Sequence, residues 1–237
     1  MIGEGAQDLI QKVLQAYGGE AKWRNATAVE AVVSSGGAAF AMKWRKPFNR
    51  IEVFADVANP YIRFSPINSK GNVAALRGES VQIETPNGTV LASRKEPRKL
   101  FPSGRRMIWW DDLDQAYFAG YALWNYLVFP ALLLRNDIQW TSVSESILEA
   151  RFPDNIPTHC ITQQFRFHPS THLLLRHDYT AEVIGKWARA SNQVTEHSGS
   201  DGVPFASRRR VTARTKKGKV RRWPVLVWIE VHEWRLL

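Results

Sequence analysis

His177 is the residue of this sequence best placed to do chemistry. It lies in ITQQFRFHPSTHLLLRHDYT, Ile161 to Thr180, which reads as two strands joined by a turn at His168-Pro169-Ser170-Thr171. If Phe167 pairs with Leu173, then Phe165 faces Leu175, Gln163 faces His177 and Ile161 faces Tyr179. The two-residue period of a strand puts these side chains on one face. The other face carries Thr162, Gln164, Arg166, Arg176 and Asp178. A histidine on an otherwise apolar face has more than one reading. It can anchor the polar group of a ligand, or act as a base with Glu182 or Asp178 assisting. Equally, it can be a core histidine satisfied by Gln163 or Tyr179, as buried polar groups generally are.

Other candidate chemistry is weaker. The remaining histidines are His159, His168, His172, His197 and His232, and no HExxH or HxH pair occurs. Glu182 and His197 could converge on His177 only through the fold. No metal and no cofactor is expected. The single Cys160 excludes an internal disulfide framework and any zinc site with two thiolates. No P-loop, dinucleotide fingerprint or Gly-x-Ser-x-Gly elbow is present. Asp111, Asp112 and Asp114 could form a carboxylate constellation. Their place before an apolar run makes helix capping the simpler account.

A second feature is a block of charge. Arg208, Arg209, Arg210, Arg214, Lys216, Lys217, Lys219, Arg221 and Arg222 have no acid among them, in a chain of net charge +10. The basic character is therefore one C-terminal hairpin. Arg208, Arg209, Arg210, Lys216 and Lys217 are the candidates for contact with an anionic membrane surface. Single-stranded nucleic acid is a rival partner, since Trp223 and Trp228 follow the run. It lacks an RNP-like motif or a recognition helix. A solvated hairpin that keeps a sheet edge soluble is the plain reading.

The elements that must position these residues are mostly strands. Residues 6–17 have Leu9, Ile10, Val13, Leu14 and Tyr17 at helical spacing, and Gly18-Gly19 stops the helix. Strands are expected over 28–34, 38–45, 50–57, 61–65, 73–77, 80–85 and 89–93, with Asn87-Gly88 as a two-residue hairpin signal. Asp111–Arg135 reads as an apolar helix, with Leu113, Tyr117, Gly120, Tyr121, Trp124, Leu127 and Val128 as one stripe and Pro130 as a kink or stop. Ala116–Leu134 is uncharged over a membrane-spanning length. A lone span would split one β meander across a bilayer, so no transmembrane segment is expected. Strands resume over 147–152, 159–167, 172–180, 186–193, 205–214 and 223–234.

The 237 residues suit one large β domain, 1–237. Residues 1–16 carry acids and amides where a leader would be apolar, which reads as cytoplasmic, or as periplasmic or cell-envelope had a leader been removed. Ten tryptophans favour a hydrophobic cavity, though they also build cores.

The opening DLIQKVLQAYGGEAKWRNATAVEA, a helix, then Tyr-Gly-Gly, then a Trp-Arg segment, resembles proteins of the LolA-like superfamily, the periplasmic lipoprotein carriers and their relatives. The stretch WWDDLDQAYFAGYALWNYLVFPALLL, with FPDNIPTHC and RHDYTAEVIG, is similar to a family of uncharacterised bacterial proteins. The resemblance implies a mainly β (α+β) fold, a curved antiparallel sheet forming an open half-barrel with helices over its concave face. It also implies a cavity for acyl chains or similar molecules. The expected function is non-enzymatic carriage of a lipid-like ligand. Tyr117, Tyr121, Trp124 and Leu127 would face Phe165, Phe167, Leu173 and Leu175, and Gln163, His177 and Tyr179 would orient the ligand's polar group. An enzyme using His177 on a hydrophobic substrate in the same cavity is the rival.

Overall fold

Short strands with tight turns lay each strand beside its predecessor, and the sheet is built that way. The computed structural model describes residues 4–237. Six strands run outward from the N-terminal side: β1 (Ala28–Gly36), β2 (Phe48–Asp56), β3 (Tyr61–Ser65), β4 (Val73–Arg77), β5 (Ser80–Glu84) and β6 (Val90–Lys95). Helix α4 (Asp112–Leu127) then carries the chain to the far edge. There β7 (Gln139–Ser144) begins a second meander through β8 (Ile147–Arg151), β9 (Thr162–Phe167), β10 (Leu174–Thr180), β11 (Arg189–Ser200) and β12 (Val203–Arg214) to β13 (Val220–Leu236). β13 pairs with β1, so the two meanders make one thirteen-stranded antiparallel sheet, in order β6-β5-β4-β3-β2-β1-β13-β12-β11-β10-β9-β8-β7. The edges β6 and β7 do not meet, and the sheet is an open half-barrel.

Helices fill the concavity. α4 packs on β2 to β6, and α1 (Glu4–Ala16) reaches β7. Two short helices, α2 (Glu20–Asn25) and α3 (Ala38–Met42), close the α1 and β13 sides. Every residue of α4 from Leu113 to Leu127 is buried. The helix therefore has no solvent face, and no single stripe, against the sequence expectation. Gly120 sits where a Cβ would lie 3.2 Å from Leu76, so the glycine lets helix and sheet approach closely. No helix among the described residues is long and apolar enough to cross a membrane.

A helix this buried needs its charged end compensated. Asp111 is the N-cap and Asp114 the N3 residue of a capping box, as the acid cluster suggested. Asp114 is fully buried, and its carboxylate accepts from Arg94 (2.6 Å), Arg105 (2.7 Å) and Arg106 (2.7 Å). Asp111 accepts from Arg94 at 2.8 Å and from Arg105. Burial raises the Asp111 pKa, but the Arg94 hydrogen bonds and the Asp114 amide outweigh it and hold the carboxyl well below the usual range. Edge strand β6 and the helical turn at 104–107 are thus tied to the helix start.

Several expected elements differ. No strand forms over residues 38–45: Ala38–Met42 is α3, and a turn follows it. Ala-Ala-Phe-Ala-Met is helix-favouring, and Gly37 (φ 128°) turns the chain where a Cβ would come within 2.6 Å of the Leu226 carbonyl. The Asn87-Gly88 hairpin has a three-residue loop, because Thr85 N donates to Thr89 O at 2.9 Å. β11 runs on to Ser200 through polar residues read as a loop. Only Asp201 (φ 51°) and Gly202 (φ 74°) make the turn. β7 and α2 carry signals too short to be recognised.

Two predictions follow from the helix anchor. Asp114→Asn should cost about 3 kcal/mol, by leaving three guanidinium groups without their buried carboxylate, and lower Tm by about 6–12 °C. The exposed Asp112→Asn should cost under about 1 kcal/mol. Asp111 has a depressed folded pKa, so its contribution is present above pH about 4 and is lost as the pH falls further. Denaturant melts at pH 7 and pH 3 check both.

Candidate functional site

The inner face of β9 and β10 is where the sequence placed its site, and Gln163, Phe165, Phe167, His177 and Tyr179 all point into the half-barrel and are buried. The pairing differs from the expected one. His168 N donates to Leu173 O (2.9 Å), and the His168 Nδ1 accepts from the Ser170 and Thr171 amides at 3.3 and 3.2 Å. That ring-capped turn sets Phe167 opposite Leu174 rather than Leu173. A bulge between Leu174 and Arg176 then brings His177 opposite Phe165. Leu174 takes the inward position. Leu175 is 37% exposed, and Leu173 is only partly buried at the core's margin. Neither can face Phe165 and Phe167 as expected.

His177 makes the contact that was one of its readings. It is stacked on Phe165 (centroids 4.1 Å), and its Nε2 lies 2.6 Å from Gln163 Oε1. The Gln163 Nε2 donates to Cys160 O (2.7 Å) and to Thr158 Oγ1 (2.6 Å). The amide oxygen must therefore accept, so Nε2 of His177 carries the proton and donates. Neither proposed carboxylate assists. Asp178 is on the opposite face, paired with Arg176 at 2.6 Å, and Glu182 is held by Arg98. Among the described residues no group of histidine, cysteine and carboxylate side chains could hold a metal.

A second layer of the site was not visible in the sequence. Tyr126, off the expected stripe of α4, puts its hydroxyl 2.7 Å from His159 Nε2 and 2.8 Å from Tyr179 Oη. His159 stacks on Tyr179 at 3.7 Å and meets Tyr121 edge-on at 5.0 Å. Burial pushes the Tyr126 pKa up to about 12 and drives both histidines well below 6.5, with Arg209 adding to the shift at His177. All these groups are neutral at pH 7. Of the other α4 candidates, Tyr117 packs on Tyr121 (5.2 Å), Leu127 lies near Phe129, and Trp124 donates to Asp56 O at 2.8 Å. Phe129 stacks on Phe165 and Phe167 at 5.6 and 6.1 Å. The Trp side chains divide: Trp23, Trp110, Trp124, Trp140 and Trp234 are core, whereas Trp44, Trp187 and Trp223 face solvent.

The interior is nearly full. A void of about 20 Å³ lies between Phe118, Ala122, Tyr126, His159 and Val211. An open groove of about 720 Å³ runs past Glu30, Glu52, Arg63 and Glu233, and a cleft of about 240 Å³ has Tyr117, Phe152, Ile156 and Cys160 on its wall with Glu79, Glu96, Lys99 and Glu182. Arg98 crosses it, donating to Thr158 O, to His159 O (3.0 Å) and to Glu182. Cys160 lines this cleft as a buried thiol whose pKa burial raises, the environment of a packed cysteine rather than a nucleophile.

Of the basic candidates, Arg208, Arg210, Lys216 and Lys217 are at the surface, and Arg208 is paired with Glu196 at 2.9 Å. Arg209 corrects the expectation. It is 4% exposed and points into the half-barrel, because strand alternation turns it opposite to its two neighbours. It cannot contact a membrane surface.

The fold matches solved structures of LolA-like proteins. A LolA superfamily protein from Nitrosomonas europaea is 12% identical, with 98% of this chain and 93% of that one covered and a TM-score of 0.52. A protein from Vibrio parahaemolyticus described as an outer membrane lipoprotein-sorting protein domain is 8% identical, with 98% and 93% covered and a TM-score of 0.51. No protein-family model matches the sequence, and no curated protein does. The chain thus has the LolA-like open half-barrel.

The buried histidines set a pH response. In the unfolded chain they bind protons near pH 6.5, and in the folded protein they do not. Each of His159 and His177 should therefore remove about 1.4 kcal/mol of stability per pH unit as the pH falls below about 6. Urea melts from pH 7 to pH 5 should show this slope, and His177→Phe should reduce it. Tyr126→Phe should cost about 1–3 kcal/mol, since it strands His159 Nε2 and the Tyr179 hydroxyl.

Proposed function

We propose that this protein binds and carries a lipid-like hydrophobic ligand and performs no chemistry on it. The observation that carries this reading is the cleft of about 240 Å³ in which Tyr117 of the buried helix, Phe152, Ile156 and Cys160 form the apolar part of a wall rimmed by charged side chains. Ligand pockets are mostly apolar clefts of about 300–1,000 Å³ with a few polar groups. This one is slightly small in its present form, and Arg98 accounts for that. Its bonds to the Thr158 and His159 carbonyls and to Glu182 clasp the loop over residues 152–161 against the turn at 97–100. Release of the clasp would expose Tyr121 and His159 to a ligand tail.

The fold supports the reading, as does the Vibrio protein's lipoprotein-sorting description. The geometry of His177 weighs against the enzymatic rival, because the ring is buried and stacked on Phe165, and Asp178 and Glu182 are paired elsewhere. Burial of each ligand CH₂ is worth about 0.8 kcal/mol, so an acyl chain needs no further contact to bind.

Native mass spectrometry of the purified protein, followed by solvent extraction, tests this. A bound acyl or isoprenoid molecule at near-stoichiometric amount is expected. Arg98→Ala should take up a fluorescent fatty acid faster than the wild type. A clean apo mass, with no uptake by either protein, would sink the proposal.

A further inference from the structure

Arg209 is the one group of the interior that its surroundings do not explain. It is 4% exposed, and among the described residues no carboxylate pairs with it. Its Nη1 has no partner, and its Nη2 reaches the Tyr126 carbonyl only at 3.4 Å. The guanidinium lies over the Tyr126 ring at 4.9 Å. Around it are neutral groups: Tyr17, Tyr126, Tyr179, His177 and His197, the last pushed down to about 4 by burial and by Arg209 itself. A buried charge without a counter-charge is costly, and proteins normally pair it.

The neighbours are unsatisfied too. On the same inward face of β12, Ser207 Oγ has no partner. On β11, Asn192 is fully buried with one amide N–H turned to the Tyr126 hydroxyl, and its other N–H and its oxygen have no partner. Asn192 pairs with Val211 and Val194 with Arg209, so Asn192 is the diagonal neighbour of Arg209. A void of about 10 Å³ separates Arg209 from Tyr17, Phe129, Phe205 and Trp234. Phe205 is only partly buried and stacks on Trp234 at 5.4 Å, so the site lies one side chain below the surface.

We propose that Arg209, Ser207 and Asn192 form an anion site inside the half-barrel, and that it takes the ionised carboxylate of a single-chain fatty acid. This deepens the carrier reading and rests on it. Arg209 and Ser207 share the inward face of β12 with Asn192 diagonal to Arg209, which puts a guanidinium fork, a hydroxyl and an amide on one wall with no carboxylate among them. A carboxylate accepts from all three and brings one negative charge to one positive charge. A phosphate monoester would bring up to two and leave one unpaired. The walls are apolar and aromatic, which suits the chain behind the head. The void of about 10 Å³ holds no chain, so Phe205 has to swing off Trp234 for the ligand to enter.

The test compares palmitate with its methyl ester by isothermal titration, on the wild type, Arg209→Met and Arg209→Lys. Palmitate should bind the wild type about ten- to a hundred-fold more tightly than the ester. Arg209→Lys should keep a preference for the acid. Arg209→Met should bind both alike, and its Tm should rise by several degrees because an unpaired buried charge is gone. Equal binding of acid and ester by the wild type would overturn the anion site and leave the carrier reading standing. Binding of neither would remove the carrier reading and the site with it. An Arg209-dependent Tm shift from acetate or inorganic phosphate, with no binding of palmitate, would overturn the fatty-acid assignment.

Discussion

A helix buried on every side is the constraint on which the rest of this structure depends. α4 crosses the half-barrel with Leu113 to Leu127 out of water, so no solvent meets the polar side chains along that run. The Asp111–Asp114 capping box and its arginines settle the N-terminal end. Asn125, deeper in, donates to the Tyr121 carbonyl (2.7 Å) and to the Pro157 carbonyl (3.0 Å). Tyr126 engages His159 and Tyr179. Apart from the Asn125 bond to Tyr121 within the helix, these bonds join it to three walls: edge strand β6, the loop over residues 152–161, and β10. The helix is thereby the central strut of an open sheet that has no closure of its own.

The same contacts decide what a ligand would have to displace. An apolar chain gains nothing by replacing side chains already packed against one another. It gains where packing is incomplete or polar groups lack partners. Tyr121 Oη, His159 Nδ1, Asn192, Ser207 Oγ and Arg209 Nη1 are buried and unpartnered, and all lie toward the inside of the half-barrel. Most buried polar atoms in folded proteins are satisfied. A concentration of exceptions inside a concave sheet is a surface waiting for donors and acceptors from elsewhere. Ordered water could meet some of these needs, since voids of about 10 and 20 Å³ are near the size of a single water. Water does not neutralise the charge of Arg209.

Much of the frame was legible in the residues. The amphipathic run before Gly18-Gly19, the strands of the first meander and the acid-led helix all follow from periodicity and turn chemistry. The half-barrel itself came from the resemblance, since local pattern does not say how far a sheet curves. Failures have local causes. The turn after Phe167 is lengthened by the His168 ring, which no propensity encodes, and one residue of slip puts Leu175 outside. Tyr126 was missed because a helix buried all round has no stripe to read. Arg209 was legible in principle. Phe205, Ser207, Arg209 and Val211 share one parity on β12, with apolar residues at both ends, yet the run of three arginines reads as surface charge.

The surroundings of His177 decide what its ring can do. A base needs a lone pair aimed at a substrate and a protonated state within reach. The nitrogen bonded to Gln163 is a donor by the logic of the amide's other bonds, which leaves the lone pair on Nδ1. The ring is pressed on Phe165, and both burial and Arg209 oppose a positive charge on it. Arg209 and His177 thus work in one direction. A fixed cation adds to burial in keeping His177 and His197 neutral, and neutral neighbours leave Arg209 without a counter-charge among the described residues. Burying that charge unpaired costs stability, which an anion held beside it would return.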